Sequence, residues 1–292
     1  MKSVHPNAPP QLGQDDVRSV SVPVPMRTHA SEGLASGDVE TVGPSSTMRI
    51  EERVAYVQLD RPYAANTLTL QLCTELSDYV DVVAANPEVA VLVLSGAGKR
   101  FCAGGDLNEI DSAPDRRTYI HDMVTSAHGL ARRLHALGKP IIASVHGAAA
   151  GAGLSLALLS DIVIAERATK FASAYSTVGL TPDLGQSFWL PRVVGMGRAQ
   201  HLTLEGSVFS AEEAHRWGLV SRVVDGDPLV EAREVARTLA QGPFQARGDA
   251  RRLLRMSMAE GFEAHLDAEA ASIVAAVARP EAGRLIEDAA RR

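Results

Sequence analysis

The sequence predicts an α/β fold in which a strand–helix core gives way to a helical C-terminal region. Three observations predict it. From Ile50 onward, short apolar runs closed by glycine or polar turns alternate with amphipathic helical segments. Several of these runs, such as Val89–Ser95 (VAVLVLS), are apolar without alternation, as strands covered on both faces are. After Gln186 the pattern is helical alone. The 292 residues suffice for one large core or two modest ones. A composition of 46% hydrophobic and 22% charged residues suits a globular protein.

Residues 1–47 are rich in Pro, Ser, Gly and Val and hold no persistent period, so they read as a disordered extension. They show no hydrophobic signal region, and Asp15, Asp16 and Glu32 disfavour a transit peptide. Met48 is an alternative start, since a strand pattern begins soon after it. Arg53–Asp60 alternates at period two and ends at Pro62. Thr69–Ala85 has helical spacing, Val89–Ser95 is a strand, and Arg116–Leu137 is a long amphipathic helix. Ile141–Val145 and Asp161–Ala165 are short strands around a small-residue helix. This order implies right-handed βαβ units. Helices are expected over Gln186–Val194, Ala211–Trp217, Leu229–Leu239, Phe244–Ala259, Phe262–Ala278 and Glu281–Arg291, with no second sheet among them. The expected division is an extension over 1–47, a core over 48–226 and a helical region over 227–292.

Composition also narrows the function. A net charge of −6 argues against a nucleic-acid partner. No apolar run reaches the roughly 18 residues of a spanning helix, so no membrane partner is expected. Cys73 and Cys102 make neither a disulfide framework nor a zinc motif, which fits a reducing, cytoplasmic setting.

Two glycine-rich segments follow buried strands: Gly96–Leu107 (GAGKRFCAGGDL) and His146–Leu156 (HGAAAGAGLSL), the second leading into a helix. Backbone N–H groups at a helix start are unpaired and favour negative charge. Two such loops facing each other can hold a carbonyl oxygen as it becomes an oxyanion, each donor contributing ~10²–10³ in rate. Neither loop carries a dinucleotide fingerprint or a P-loop. A third segment, Val178–Gln186 (VGLTPDLGQ), presents Asp183. Pro-Asp-x-Gly is turn chemistry, and Asp183 with Gln186 matches a capping box. From local sequence the turn or cap is the stronger reading; the functional reading of Asp183 is a general base among small apolar residues.

Taken together, LDRPYAANTL (Leu59–Leu68), FCAGGDL (Phe101–Leu107), VHGAAAGAGLSLALLSDI (Val145–Ile162), GLTPDLG (Gly179–Gly185), LPRVVG (Leu190–Gly195) and AEEAHRWGLVSRVV (Ala211–Val224) resemble the crotonase (enoyl-CoA hydratase/isomerase) superfamily. The resemblance runs from about Ile50 to Val224. It implies a spiral of ββα turns with C-terminal helices that drive trimer formation, as a homotrimer or a hexamer of two trimers. It implies an acyl-CoA thioester substrate, with CoA as part of the substrate and no separate cofactor or metal. By position, the oxyanion donors are the N–H groups of Gly105 and Ala152. Tyr63, Ala65, Ala103, Gly104, Asp106 and Leu107 are expected along the CoA channel, with Ala148 and Gly151 beside the thioester. Asp106 is expected to fix its loop. Arg61, Lys99 and Arg100 are candidates for the CoA phosphates.

Hydratases of this superfamily use two glutamates, and this chain has Ser155 and Tyr175 at those positions. Asp183 stands where certain isomerases carry an aspartate, and Ala172–Gly195 looks most like the ring-1,2-epoxyphenylacetyl-CoA isomerase subgroup. The resemblance therefore implies double-bond isomerisation through an enolate, with Asp183 as acid and base. Hydration on the same scaffold, with water held by Ser155 or Tyr175, is the alternative, and a non-catalytic acyl-CoA-binding protein is a second. The tail departs from the family by lacking a CoA-contacting Phe and Lys; Ile286 and Arg291 are the nearest substitutes. His121, His128 and His135, seven residues apart, read as a half-exposed helix stripe, since two turns separate neighbours too widely for one metal. Cys102 and His146 read as a packed thiol and a loop residue rather than a nucleophilic pair.

Overall fold

A computed structural model of the chain describes residues 20–21, 44–259 and 261–290. Among the described residues, seven strands form the main sheet: β1 Val20–Ser21, β2 Ser46–Glu51, β3 Val54–Leu59, β4 Val91–Gly96, β5 Ile141–Val145, β7 Ile162–Glu166 and β10 Arg222–Val224, in that spatial order. From β3 to β10 they pair in parallel, while β1, β2 and β3 pair antiparallel. A second sheet holds β6 Ala148–Ala150, β8 Lys170–Ala172 and β9 Val208–Ser210. Two single bridges, Leu68 to Gly105 and Cys102 to Ala149, carry its direction across the preceding turns of chain. Each turn thus sends one segment to each sheet and then a helix, which is the ββα spiral.

The strand residues explain the layering. In β4, Leu92 and Leu94 face the larger core, whereas Val91 and Val93 face the smaller one. The larger core lies under helices α1 Leu70–Ala85, α3 Arg116–Ala136 and α4 Ala152–Leu159; the smaller lies under α8 Pro228–Gln241, through Ala232, Val235, Ala236 and Ala240. This double covering is why the strands read as unbroken apolar runs. The remaining helices are α2 Leu107–Ser112, α5 Gln186–Val194, α6 Met196–Glu205, α7 Ala211–Arg216, α9 Phe244–Met256, α10 Phe262–Val277 and α11 Pro280–Ala290. Arg251 of α9 ties this region to the core: it pairs with Asp161 at 2.6 Å and donates to the carbonyls of Leu134, His135 and Leu137.

The structure corrects the expectation that no sheet lies beyond Gln186, because β9 and β10 are strands. Each has three residues, too few for a period to show. Helices α2 and α6 were also not expected. Most of residues 1–47 lies outside the described residues. The part described includes a strand that begins at Ser46, ahead of Met48, with the Ser45 N–H and the Ser46 hydroxyl donating to Glu75.

Candidate active site

The two glycine-rich loops are laced together by main chain. Cys102 N–H donates to the Ala148 carbonyl (3.2 Å), and Ala150 N–H donates to the Cys102 carbonyl (3.0 Å). Leu68 N–H in turn donates to the Gly104 carbonyl (2.8 Å), and Asp106 N–H to the Leu68 carbonyl (3.0 Å). Gly104, at φ +115°, brings its backbone so close to the second loop that a β-carbon would sit 3.3 Å from the Ala150 oxygen and 4.0 Å from the Ala152 nitrogen. The next nitrogen is that of Gly105. Among the described residues, neither the Gly105 nor the Ala152 N–H has a partner in the protein. Ala152 is the first residue of α4, so its N–H is one of the donors a helix leaves unpaired.

The first loop is held from behind by Asp106, which caps α2 by accepting from the Asn108 and Glu109 N–H groups. Its other oxygen accepts from Thr67 (2.9 Å) and Arg61 (3.0 Å). Burial alone pushes this carboxyl up, but these hydrogen bonds and the Arg61 charge outweigh it and hold it below the usual range. Arg61 is thereby engaged inside the protein, while Lys99 and Arg100 remain exposed. Tyr63 and Leu107 are exposed and Ala65, Ala103 and Ala148 half-buried, so these residues offer accessible surface around the donors.

Asp183 lies in a tight turn in which Leu184 and Gly185 take φ of 50° and 78° and Gln186 N–H donates to the Asp183 carbonyl (2.9 Å). The expected capping box does not form. Helix α5 takes Gly185 as its N-cap with no side-chain cap, and Gln186 Nε2 donates to Ser173 Oγ (2.6 Å). The Asp183 carboxylate instead accepts from the Tyr175 hydroxyl. Ser155, fully buried, places its Oγ 3.3 Å from Tyr175 Oη, 3.2 Å from the Gly151 carbonyl and 3.3 Å from the Asp183 carbonyl. Burial raises the Asp183 pKa above the carboxylate norm, against the lowering effects of Tyr175 and of His128 on α3. Burial likewise pushes the Tyr175 phenol up, reinforced by Asp183, so it stays protonated and donates.

The structure brings Gly105, Ala152, Gly151, Ser155, Tyr175 and Asp183 together as one site. The charge of His128 on α3 favours ionisation of Asp183, although the sequence marked it only as one of three histidines on a helix stripe. The other two have other surroundings: His121 is exposed beside Asp122, and His135 packs at a tilt against Trp189, with ring centroids 5.7 Å apart. Cys102 does not pair with His146. Burial lifts its thiol to about 12, and His146 Nε2 sits 3.0 Å from the Gly98 carbonyl. Ile286 is exposed on α11; Arg291 lies outside the described residues. Among the described residues no His/Cys/Asp/Glu cluster fit for a metal occurs, and no helix is long and apolar enough to cross a membrane.

Comparison with known proteins converges on one family. A model of the enoyl-CoA hydratase/isomerase family matches residues 49–279. The 1,2-epoxyphenylacetyl-CoA isomerase of Escherichia coli (strain K12) is 39% identical over 226 residues, which cover 75% of this chain and 85% of that protein. The 4-chlorobenzoyl coenzyme A dehalogenase-2 of Arthrobacter sp. is 30% identical over 230 residues, covering 78% and 83%. The crystal structure of an enoyl-CoA hydratase from Polaromonas sp. JS666 superimposes with a TM-score of 0.78 at 31% identity, covering 83% of this chain and 95% of that one.

Proposed function

This chain belongs to the enoyl-CoA hydratase/isomerase family, and from that membership we propose that it shifts a double bond in an enoyl-CoA, with Asp183 as the single acid and base. The observation that carries this reading is the make-up of the site. One elevated, half-buried carboxylate is linked through Tyr175 and Ser155 to the Gly151–Ala152 peptide, and the two hydratase glutamate positions hold hydroxyls. The thioester oxygen accepts from the Gly105 and Ala152 N–H groups. Asp183 removes a proton from the acyl chain, the electron pair moves into the thioester as a dienolate, and the same carboxyl returns the proton at another carbon. One base suffices because the proton count of substrate and product is equal. CoA is part of the substrate in this scheme, and no separate cofactor takes part.

The test is a panel of linear and ring enoyl-CoA substrates followed by mass spectrometry. The expected product is isobaric with the substrate, and Asp183→Asn is expected to lower kcat by ~10²–10⁴. A product heavier by one water, formed equally well by Asp183→Asn, would overturn the reading. For the assembly we propose a homotrimer, singly or as a dimer of trimers, because α10 packs chiefly on α9 and α11 while Phe262, Ile273, Val274 and Val277 stand exposed.

A further inference from the structure

The hydrogen bonds at Asp183 do not stop at the carboxylate. Tyr175 Oη donates to Oδ1, and Ser155 Oγ lies within 3.3 Å of Tyr175 Oη and 3.2 Å of the Gly151 carbonyl oxygen. That carbonyl also accepts from the Ser155 N–H at 3.1 Å. It belongs to the same peptide unit as the Ala152 N–H. A peptide unit is planar, so holding its oxygen fixes the direction in which its N–H points. The ring of Tyr175 closes the arrangement from the other side, its Cζ 3.8 Å from where a β-carbon on Gly151 would stand.

We propose that Tyr175 and Ser155 are positioning residues, a relay in which Tyr175 donates to the proton-transferring carboxylate, the single Ser155 hydroxyl proton is given to Tyr175 Oη, and the Ser155 N–H holds the carbonyl of the peptide supplying one oxyanion donor. The proposal rests on the reading of Asp183 as the base and of Ala152 N–H as a donor. The relay assigns the two carboxylate oxygens different tasks. Oδ1 is held by Tyr175, which leaves Oδ2 to move the proton. It also keeps the carboxylate and the oxyanion site at one separation as charge passes between them. A hydroxyl is suited to this, since a second carboxylate in its place would repel Asp183 and push its proton affinity higher still. Tyr175 contacts the Asp183 carboxylate, and His128 from α3 and Cys73 from α1 are coupled to it by charge. Of these, Tyr175 makes the largest contribution that favours ionisation of Asp183.

Tyr175→Phe, Ser155→Ala and the double variant test the relay, with Asp183→Asn alongside. In the enoyl-CoA assay, Tyr175→Phe is expected to lower kcat about ten- to a hundredfold, the worth of a hydrogen bond to a charged group, with KM little changed. The acid limb of its pH profile should move to higher pH, because the carboxylate has lost a donor. The double variant should be little worse than Tyr175→Phe alone, as members of one network are not additive. Carbon-13 NMR titration of the Asp183 carboxyl gives a readout independent of turnover, and it should shift upward in pH in Tyr175→Phe. Full turnover by Asp183→Asn would overturn the base assignment and the relay with it. An inactive Asp183→Asn beside wild-type kinetics and an unmoved titration in Tyr175→Phe would overturn the relay alone.

Discussion

At Asp183 the fold and the chemistry pull in opposite directions. Burial makes this carboxyl harder to ionise in the folded chain than in the unfolded one, and the Tyr175 bond and His128 only partly offset it. A group whose folded pKa is raised stabilises the fold fully below its unfolded pKa, and that contribution is lost as pH rises through the folded value. At neutral pH the charge therefore works against folding. Asp183→Asn is expected to raise Tm at neutral pH while lowering kcat, and to lose that advantage below the ordinary carboxylate range; calorimetry across pH checks it. A lower Tm at neutral pH would show that the hydrogen bonds to the carboxylate outweigh its burial. The sequence pointed to Asp183 but not to what holds it. Local pattern favoured a cap with Gln186, and only tertiary structure turns Gln186 toward Ser173 and brings Tyr175 to the carboxylate.

At the level of elements, the site depends on where α4 begins. Its second residue, Gly153, lies against the Cys102 carbonyl, so that a β-carbon there would overlap the oxygen of the strand-like segment carrying the first loop. Gly153→Ala is expected to cost about 1–3 kcal/mol by overpacking, read as a lower denaturation midpoint. It is also expected to lower kcat, because the clash pries apart the segments that carry Gly105 and Ala152. An unchanged midpoint would mean that the loops separate freely. The long elements were legible in the sequence because they repeat their pattern: α1, α3 and α5 fall within a residue of their expected limits. The strands of three residues, β6, β8, β9 and β10, were not. They are defined by their pairing partners rather than by any period of their own.

For the whole molecule, the C-terminal helices leave more apolar surface exposed than a monomer needs: Phe262 is 74% exposed and Ile273 69%. Light scattering is expected to give a trimer or hexamer, and Ile273→Asp with Val274→Asp to give monomers. A monomeric parent chain would sink this expectation. Within the chain the proposed carbonyl clamp is written entirely in main chain, through the Cys102, Ala148 and Ala150 ladder and the N–H groups of Gly105 and Ala152. Every amino acid except proline supplies the same N–H, so substitution cannot readily delete these donors. Three side chains, at 155, 175 and 183, supply the rest of the candidate site. If the proposed clamp holds the thioester, a designer who swaps those three positions changes the reaction while the main-chain grip stays in place.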